Sequence, residues 1–355
     1  MLTTRQKTIL KAIVRQYTQT GQPVGSKVLT KHLPMKVSSA TVRNEMAVLE
    51  KQGLITKEHS SSGRLPSKKG YRYYVDHLLD PNAVTENDLI VIKNSLGGGV
   101  QKLDKIVAHS ADLLSQLTSY TTFTLKPEHQ NVHLSGFRVV PLGNQKVLAI
   151  LVTDSGDVES QAFTIPRDTN PEALEEVIRL MNDQLVGLPI TEVSKRLKSD
   201  IPARITKYLH SPEGFLEMFD SVLSSVAHEH FFVGGRLNLL DFSGSRDPDT
   251  LHALYRLLDQ SDSLTSLIEP HRSEQDDDES NPITVRIGDE ITDNKLLKDY
   301  SLITATYDVD QYGKGIIAVL GPTRMPYSRT IGLVEAFRGQ LTKRLLDYYH
   351  DLYDS

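Results

Sequence analysis

A short run of polar side chains near residue 40 has the chemistry needed to recognise the edges of DNA bases. Ser39, Thr41, Arg43 and Asn44 follow directly on Ser38. Arg can donate two hydrogen bonds to guanine, Asn can pair with adenine, and hydroxyl groups can bind bases or phosphates. If this run begins a helix, the free amides of its first turn also favour a phosphate. The sequence therefore predicts a nucleic-acid contact centred on Arg43 and Asn44.

The segments around this run have the spacing of a helix-turn-helix. Apolar residues between positions 9 and 17 recur every three or four residues, which predicts an amphipathic helix that ends at Gly21. Ser26 is a good N-cap for a short second helix, and Ser38 or Ser39 for a third helix that ends at Gly53. In this motif the third helix lies in the major groove, and its first residues meet the bases.

The segment after the third helix predicts a β-hairpin wing. Residues 54–59 alternate like a strand, residues 60–63 form a polar turn, and Arg64 begins the return. A polar turn with a cation beside it suits the minor groove. The remaining predicted DNA contacts are hydroxyl or cationic side chains on the wing, on the next helix (67–79) and on the second helix: Ser62, Arg64, Lys68, Lys69, Ser26 and Lys27.

The charge distribution agrees with this interpretation. Residues 1–80 contain fourteen Lys and Arg against five Asp and Glu, a net charge of +9, whereas the rest of the chain carries −14. A basic module on an acidic body is typical of nucleic-acid binders, although a solvated face or a membrane patch gives a similar pattern. The sequence has no cysteine, which excludes disulfides and thiolate chemistry. The N-terminus lacks a signal-peptide pattern and no apolar run approaches membrane-spanning length, so we expect a cytoplasmic protein with no membrane partner.

Three other patterns could carry chemistry but favour structural roles. The glycines at 97–99 lack the GK[ST] ending of a phosphate loop, and residues 313–315 suit a turn before a strand. His228 and His230 fall on different faces of a helix, unlike the i, i+4 histidines of a zinc helix. No Ser/His/Asp constellation has its usual local motif. We therefore expect no enzyme, no cofactor and no bound metal.

Two long runs of sequence are distinctive enough to indicate a protein family. One run, SSATVRNEMAVLEKQGLITKEHSSSGRLPSKKGYRYYVDHLL, covers the predicted third helix, the wing and the helix after it, and the other, GIIAVLGPTRMPYSRTIGLVEAF, lies near the C-terminus. Together with the segments FVGGRLNLLDF and ITVRIGDE, these runs resemble the HrcA family of heat-inducible transcription repressors, and the resemblance covers nearly the whole chain. The acidic stretch from Ser273 to Asn281 matches no family motif, and we expect a solvated loop there.

The resemblance implies a negative regulator of class I heat-shock genes, which are chaperone operons such as dnaK and groE. It implies binding to an inverted-repeat operator called CIRCE, a homodimer, and the GroE chaperonin as activating partner. A metabolite-sensing winged-helix repressor that uses a GAF-like pocket is the alternative.

The expected fold is α+β and multidomain: an N-terminal winged helix-turn-helix, a GAF-like α+β domain and an inserted, mainly helical dimerisation domain. The patterns after residue 130 predict three strands within 132–165, a helix at 171–185, helices at 213–228 and 248–259, a strand near 283–287, strands at 302–308 and 316–320, and a helix at 327–352. From these patterns we expect a DNA-binding domain at 1–80, a linker with helices at 81–130, a GAF-like domain at 131–199 and 291–355, and the inserted dimerising domain at 200–290. The GAF-like and dimerising labels come from the resemblance.

Overall fold

The structure is a computed structural model that divides into two compact units. The first comprises Met1–Pro127, Phe231–Asp310 and Lys314–Ser355, and the second comprises Glu128–His230 with Gln311–Gly313. The described residues are 2–57, 63–80, 84–97, 102–128, 132–154, 158–165, 171–208, 213–227, 231–241, 253–254, 256, 267–268, 282–292 and 295–353. Ser62, the acidic stretch 273–281, residues 228–230 and most of a helix expected at 248–259 lie outside them.

The winged helix-turn-helix is confirmed at the N-terminus of the first unit. Its elements are α1 (Thr4–Thr20), α2 (Ser26–His32), α3 (Ser39–Lys51), β1 (Ile55–Lys57), β2 (Arg64–Pro66) and α4 (Lys68–His77). The helix α1 ends at Gly21, whose φ of +65° is the left-handed conformation that glycine adopts most easily. The strands β1 and β2 pair antiparallel as the wing, and the backbone of Arg64 also pairs with Val24, just ahead of α2.

The caps of the predicted helices are confirmed in one case and wrong in the other. Ser38 caps α3 and accepts a hydrogen bond from the Thr41 amide at 3.1 Å. Ser26 does not cap α2, because Gly25 occupies the N-cap and Ser26 is the first helical residue, only 9% exposed. Serine is in general a favourable N-cap residue. In this fold, however, the Ser26 side chain lies on the buried side of α2 together with Leu29, which is fully buried.

The described residues after α4 form two antiparallel sheets with flanking helices. The elements in chain order are α5 (Glu86–Leu96), α6 (Leu103–Thr118), β3 (Thr121–Glu128), β4 (Leu134–Gly143), β5 (Lys146–Thr153), β6 (Val158–Thr164), α7 (Pro171–Leu185), α8 (Ile190–Ser199), α9 (Ile201–Ile205), α10 (Glu213–Ala227), β7 (Phe231–Gly234), α11 (Asn238–Asp241), β8 (Ile283–Ile287), β9 (Tyr300–Asp308), β10 (Lys314–Pro322) and α12 (Tyr327–Tyr353).

A five-stranded sheet forms the body of the first unit. Its strand order is β7-β3-β10-β9-β8. The long central pair runs from Lys314 opposite Asp308 to Pro322 opposite Tyr300, and β8 joins the edge through β9. The helices α5 and α6 pack with α12, which also packs on β9. Because β9 and β10 are buried along most of their length, they form the core of this body.

The second unit has its own sheet and its own core. The strands β4, β5 and β6 form a three-stranded sheet in that order, and α7 and α10 pack against it. Buried side chains of β4, β5, α7 and α10 meet in one cluster, to which β6 adds the half-buried Phe163, and the rings of Phe137 and Phe219 lie 4.3 Å apart between centroids. This unit therefore does not need the five-stranded sheet to complete its core.

The structure divides the chain differently from the boundaries that we expected. We expected the strands of 131–199 to join those of 291–355, with 200–290 inserted between them. In the described residues, β4 to β6 pair with one another, and α10 packs on them, so the insertion runs from Glu128 to His230. The strand β8 pairs with β9 and belongs to the body. Alternation of apolar residues predicts a strand but does not specify its partner.

Candidate nucleic-acid interface

The exposed face of α3 carries the side chains that could recognise bases. Val42, Met46 and Leu49 are buried and hold one side of this helix in the core of the winged helix-turn-helix. With 3.6 residues per turn, the opposite side presents Arg43 and Asn44, and both are exposed. Within the part of the chain that the structure describes, neither side chain forms a hydrogen bond or an ion pair, so all their donors are available to a ligand.

The hydroxyl groups at the start of α3 shape the helix terminus. Ser38 Oγ accepts from the Thr41 amide and lies 2.9 Å from Thr41 Oγ1. Ser38 is exposed, while Ser39 and Thr41 are half-buried. This cap fixes where α3 begins, and it leaves further amides of the first turn directed outward, where a phosphate would be favoured.

Arg64 ties the wing to α3. Its Nε and Nη2 atoms both donate to one carboxylate oxygen of Glu50, at 3.0 and 2.8 Å, and its side chain is only 18% exposed. Lys57 on the other strand of the wing reaches the second Glu50 oxygen at 3.3 Å. Burial raises the pKa of Glu50, but hydrogen bonds and charge from Arg64 and Lys57 outweigh it and lower the pKa overall. Arg64, which pairs with Lys57 at the loop end of the two strands, thus fixes the wing against α3, and its contact with DNA remains a prediction.

The two lysines at the start of α4 both have intramolecular partners. Lys68 Nζ lies 2.8 Å from an oxygen of Asp289, and Lys69 Nζ donates to the carbonyl of Gln52 at 3.1 Å. The side chains of Lys68 and Asp289 are 44% and 80% exposed. An ion pair as exposed as this contributes less than about 1 kcal/mol to stability, so a DNA phosphate can compete with Asp289 for the lysine.

The other predicted contacts differ in how accessible they are. Lys27 is exposed on α2, whereas Ser26 beside it is buried. Ser62 lies outside the described residues. The contacts of these side chains with DNA stay predictions.

Two side chains on the exposed face of α3 were not predicted. Ala47 and Lys51 follow Arg43 at steps of four residues and are exposed like it. The i, i+4 spacing was the signal available in the sequence. An alanine methyl can contact the methyl group of thymine, and a lysine can neutralise a phosphate, so both suit the same surface.

Among the described residues, no three His, Cys, Asp or Glu side chains are grouped as metal ligands would be. No described helix combines the length and apolar character needed to cross a membrane.

Comparison with known proteins identifies both parts of the chain. Residues 1–75 match the family described as "Winged helix-turn-helix transcription repressor, HrcA DNA-binding", and residues 104–331 match "HrcA protein C terminal domain". The chain is 67% identical to the heat-inducible transcription repressor HrcA of Limosilactobacillus reuteri (strain DSM 20016) and 50% identical to that of Pediococcus pentosaceus, over the full length of each.

A solved structure supports the fold. A crystal structure described only as a hypothetical protein, with 24% identity, covers 98% of this chain and all of its own with a TM-score of 0.64. At this identity the match concerns the fold alone, and the two family matches and the full-length relatives carry the assignment. The chain therefore belongs to the HrcA family of heat-inducible transcription repressors.

Proposed function

We propose that this cytoplasmic protein represses class I heat-shock genes, such as the dnaK and groE operons, by binding the CIRCE inverted repeat as a homodimer. Two winged helices would occupy two half-sites in successive major grooves and block transcription sterically. Lys and Arg side chains would neutralise phosphates and set the affinity, while α3 would set the sequence preference. The observation that carries this proposal is the exposed, unpaired Arg43–Asn44 face of α3 in a chain of this family.

The outer face of the three-stranded sheet supports the homodimer. On this face Val140 lies opposite Leu148, which lies opposite Ala162, and Val158 lies opposite Val152. Val140 and Val158 are 41% and 60% exposed, although both are apolar. A second copy of the chain would cover the face, and a two-fold interface matches the symmetry of an inverted repeat. We accordingly propose that the second unit is the dimerising domain and that the five-stranded body is the GAF-like domain.

The proposed dimer interface can be tested by introducing charged side chains on this face. The double variant V140K/V158K should fold, because both side chains are already exposed, but two copies would bring lysines together in the interface. Sedimentation velocity should show dimers for the parent protein and monomers for the variant. A variant that remains dimeric at micromolar concentration would place the dimer interface elsewhere.

Operator recognition is tested by a gel shift with the CIRCE repeat and a scrambled repeat of equal length. We expect tight binding to CIRCE that excess scrambled DNA does not displace. Equal affinity for both duplexes would reject sequence-specific repression.

The proposed activating partner is the GroE chaperonin, as the family resemblance implies. Domain stability is only about 5–15 kcal/mol, so mild heating lowers the amount of folded dimer, and a chaperonin that refolds the chain would restore it. Operator occupancy should fall after mild heating and recover on addition of GroE with ATP. Occupancy that changes in neither condition would count against this part of the proposal.

A further inference from the structure

One side of α4 is joined to the body of the same unit by contacts of several kinds. We call this set of contacts the α4 joint. It consists of three side chains on α4 and four residues of the body: Tyr71, Arg72 and Tyr74, with Val285, Glu290, Tyr327 and Ser328. The motif GPTRMPYSR, which the DNA-binding surface does not use, supplies Tyr327 and Ser328.

Arg72 connects α4 to strand β8 and to the turn that follows it. Its Nη1 atom donates to the carbonyl of Val285 at 2.6 Å and to Glu290 Oε2 at 3.2 Å. Asp76, one turn further along α4, accepts from Nε and Nη2 of the same guanidinium. Asp76 therefore fixes the orientation of the Arg72 guanidinium on α4. The charge-assisted hydrogen bonds that this group donates to the body are strongly directional.

Buried tyrosines form the centre of the α4 joint. The rings of Tyr71 and Tyr327 lie 5.7 Å apart between centroids, and Tyr71, Tyr74 and Tyr327 are each at most 3% exposed. Tyr74 Oη lies 3.1 Å from Ser328 Oγ, which also accepts from the Asp80 amide at 3.1 Å. A single body hydroxyl therefore binds both α4 and the chain that leaves the winged helix.

Asp80, where the chain leaves the winged helix, also contacts α1. The Asp80 carboxylate lies 2.9 Å from Arg15 and 4.0 Å from Lys11. At the end of α1, the guanidinium of Arg324 lies 2.7 Å from the position that a Cβ on Gly21 would take. Contacts at α1, at α4 and at the exit of the chain hold a domain in one orientation, whereas a single tether does not.

The orientation of the winged helix determines which operators a dimer can occupy. Once one winged helix is bound, the second binds with an effective concentration that depends on how often it faces its half-site. Inserting about five base pairs rotates the second half-site to the opposite side of the duplex. A winged helix on a flexible tether would tolerate the insertion, but one with a fixed orientation would not.

We propose that the α4 joint sets the half-site spacing that the dimer accepts, with Arg72 and Ser328 as positioning residues. This inference rests on the proposed function, because it requires a dimer on an inverted repeat. Neither residue needs to touch DNA for the effect, since both act through the orientation of α3.

The test compares full-length parent, R72A, S328A and the double variant on three duplexes: the natural repeat, the repeat with five base pairs inserted, and DNA with one half-site. The parent should bind the natural repeat about 100-fold more tightly than the repeat with the insertion. For the double variant the ratio of these two affinities should fall to about 10-fold, because a looser domain samples more orientations. Affinity for the single half-site should stay within about 2-fold of the parent. The matched control R338A removes an Arg paired with Glu335 in α12 and should keep the parent preference.

Thermal melting and sedimentation establish that each variant is a folded dimer. If R72A does not fold, S328A alone decides, since it removes one hydroxyl from the body. A folded dimeric variant with the spacing preference of the parent would overturn the inference. So would an equal loss of affinity on all three duplexes, which would make Arg72 a DNA contact. A parent protein that does not bind the natural repeat would instead refute the proposed function.

Discussion

Replacing Arg43 with alanine should remove base recognition without disturbing the fold. Arg43 is exposed on α3 and, among the described residues, has no side-chain partner. Substitutions at such positions usually change the free energy of unfolding by less than about 0.5 kcal/mol. The variant should therefore melt at nearly the parent temperature, and any loss of binding would arise at the DNA.

The expected loss of operator affinity follows from the removal of one arginine from each protomer. A bidentate contact from Arg to guanine contributes about 1–3 kcal/mol of discrimination. The proposed dimer contains two such contacts at well-separated positions, so their effects add to about 2–6 kcal/mol. Affinity for scrambled DNA should fall much less, because the substitution removes only one charge per protomer from the electrostatic attraction.

Fluorescence anisotropy with the CIRCE repeat and with scrambled DNA, at one salt concentration, measures the two affinities. R179A is a matched control, since it removes an arginine paired with Glu176 in the second unit. We expect the ratio of the two affinities to collapse in R43A and to be unchanged in R179A. If R43A discriminates between the duplexes as well as the parent does, then α3 does not read the sequence through this residue.

Three further perturbations test separate parts of the structure. K68A should weaken operator and scrambled DNA alike and reduce the slope of log affinity against log salt by about 0.9 for each phosphate that the lysine neutralises in the parent; an unchanged slope would mean that Lys68 stays with Asp289. G70A should lower the free energy of unfolding by about 1–3 kcal/mol, because its Cβ would lie 1.9 Å from the Leu54 carbonyl oxygen. In G339A the Cβ meets nothing within 4 Å, so this control in α12 should be neutral or stabilising in a urea melt. The lowered pKa of Glu50 means that its contribution to stability is complete above the ordinary value of 4.5 and is lost as pH falls through the folded-state pKa. E50Q should therefore flatten the acid side of a stability-against-pH curve, and a curve parallel to that of the parent would contradict the role of the Arg64 pair.

Elements with strong local signals could be predicted from the sequence. The helix expected at 171–185 is α7, and the strand expected at 283–287 is β8, with the same bounds. Ser38 and Gly21 mark helix ends as expected, because a cap depends on hydrogen bonds within a few residues of the chain.

Features that depend on distant partners could not be predicted. Nothing near Arg64 in the sequence indicates that Glu50 lies beside it, and Lys68 meets an aspartate more than two hundred residues later. The segments β4 to β6 are strands, as expected. The alternation of apolar and polar residues along them, however, is equally compatible with pairing in either sheet. The α4 joint could not be predicted for the same reason, although the motif that supplies two of its four body residues is distinctive in the sequence.

The strand order of the body has a consequence for the order in which the chain folds during synthesis. The helices and wing of the DNA-binding domain pack with one another within residues 1–80, and only the α4 joint and the Lys68 pair need the body, so this packing can form soon after the segment leaves the ribosome. The strand β3 must wait, because its neighbours are β7 and β10, which are synthesised more than a hundred residues later. Until then Phe123, which is 1% exposed in the finished sheet, has no core to enter. We therefore expect a stage in synthesis in which the helices and wing of the DNA-binding domain have packed, the α4 joint is still unmade, and the body is an open, apolar intermediate of the kind that chaperones capture.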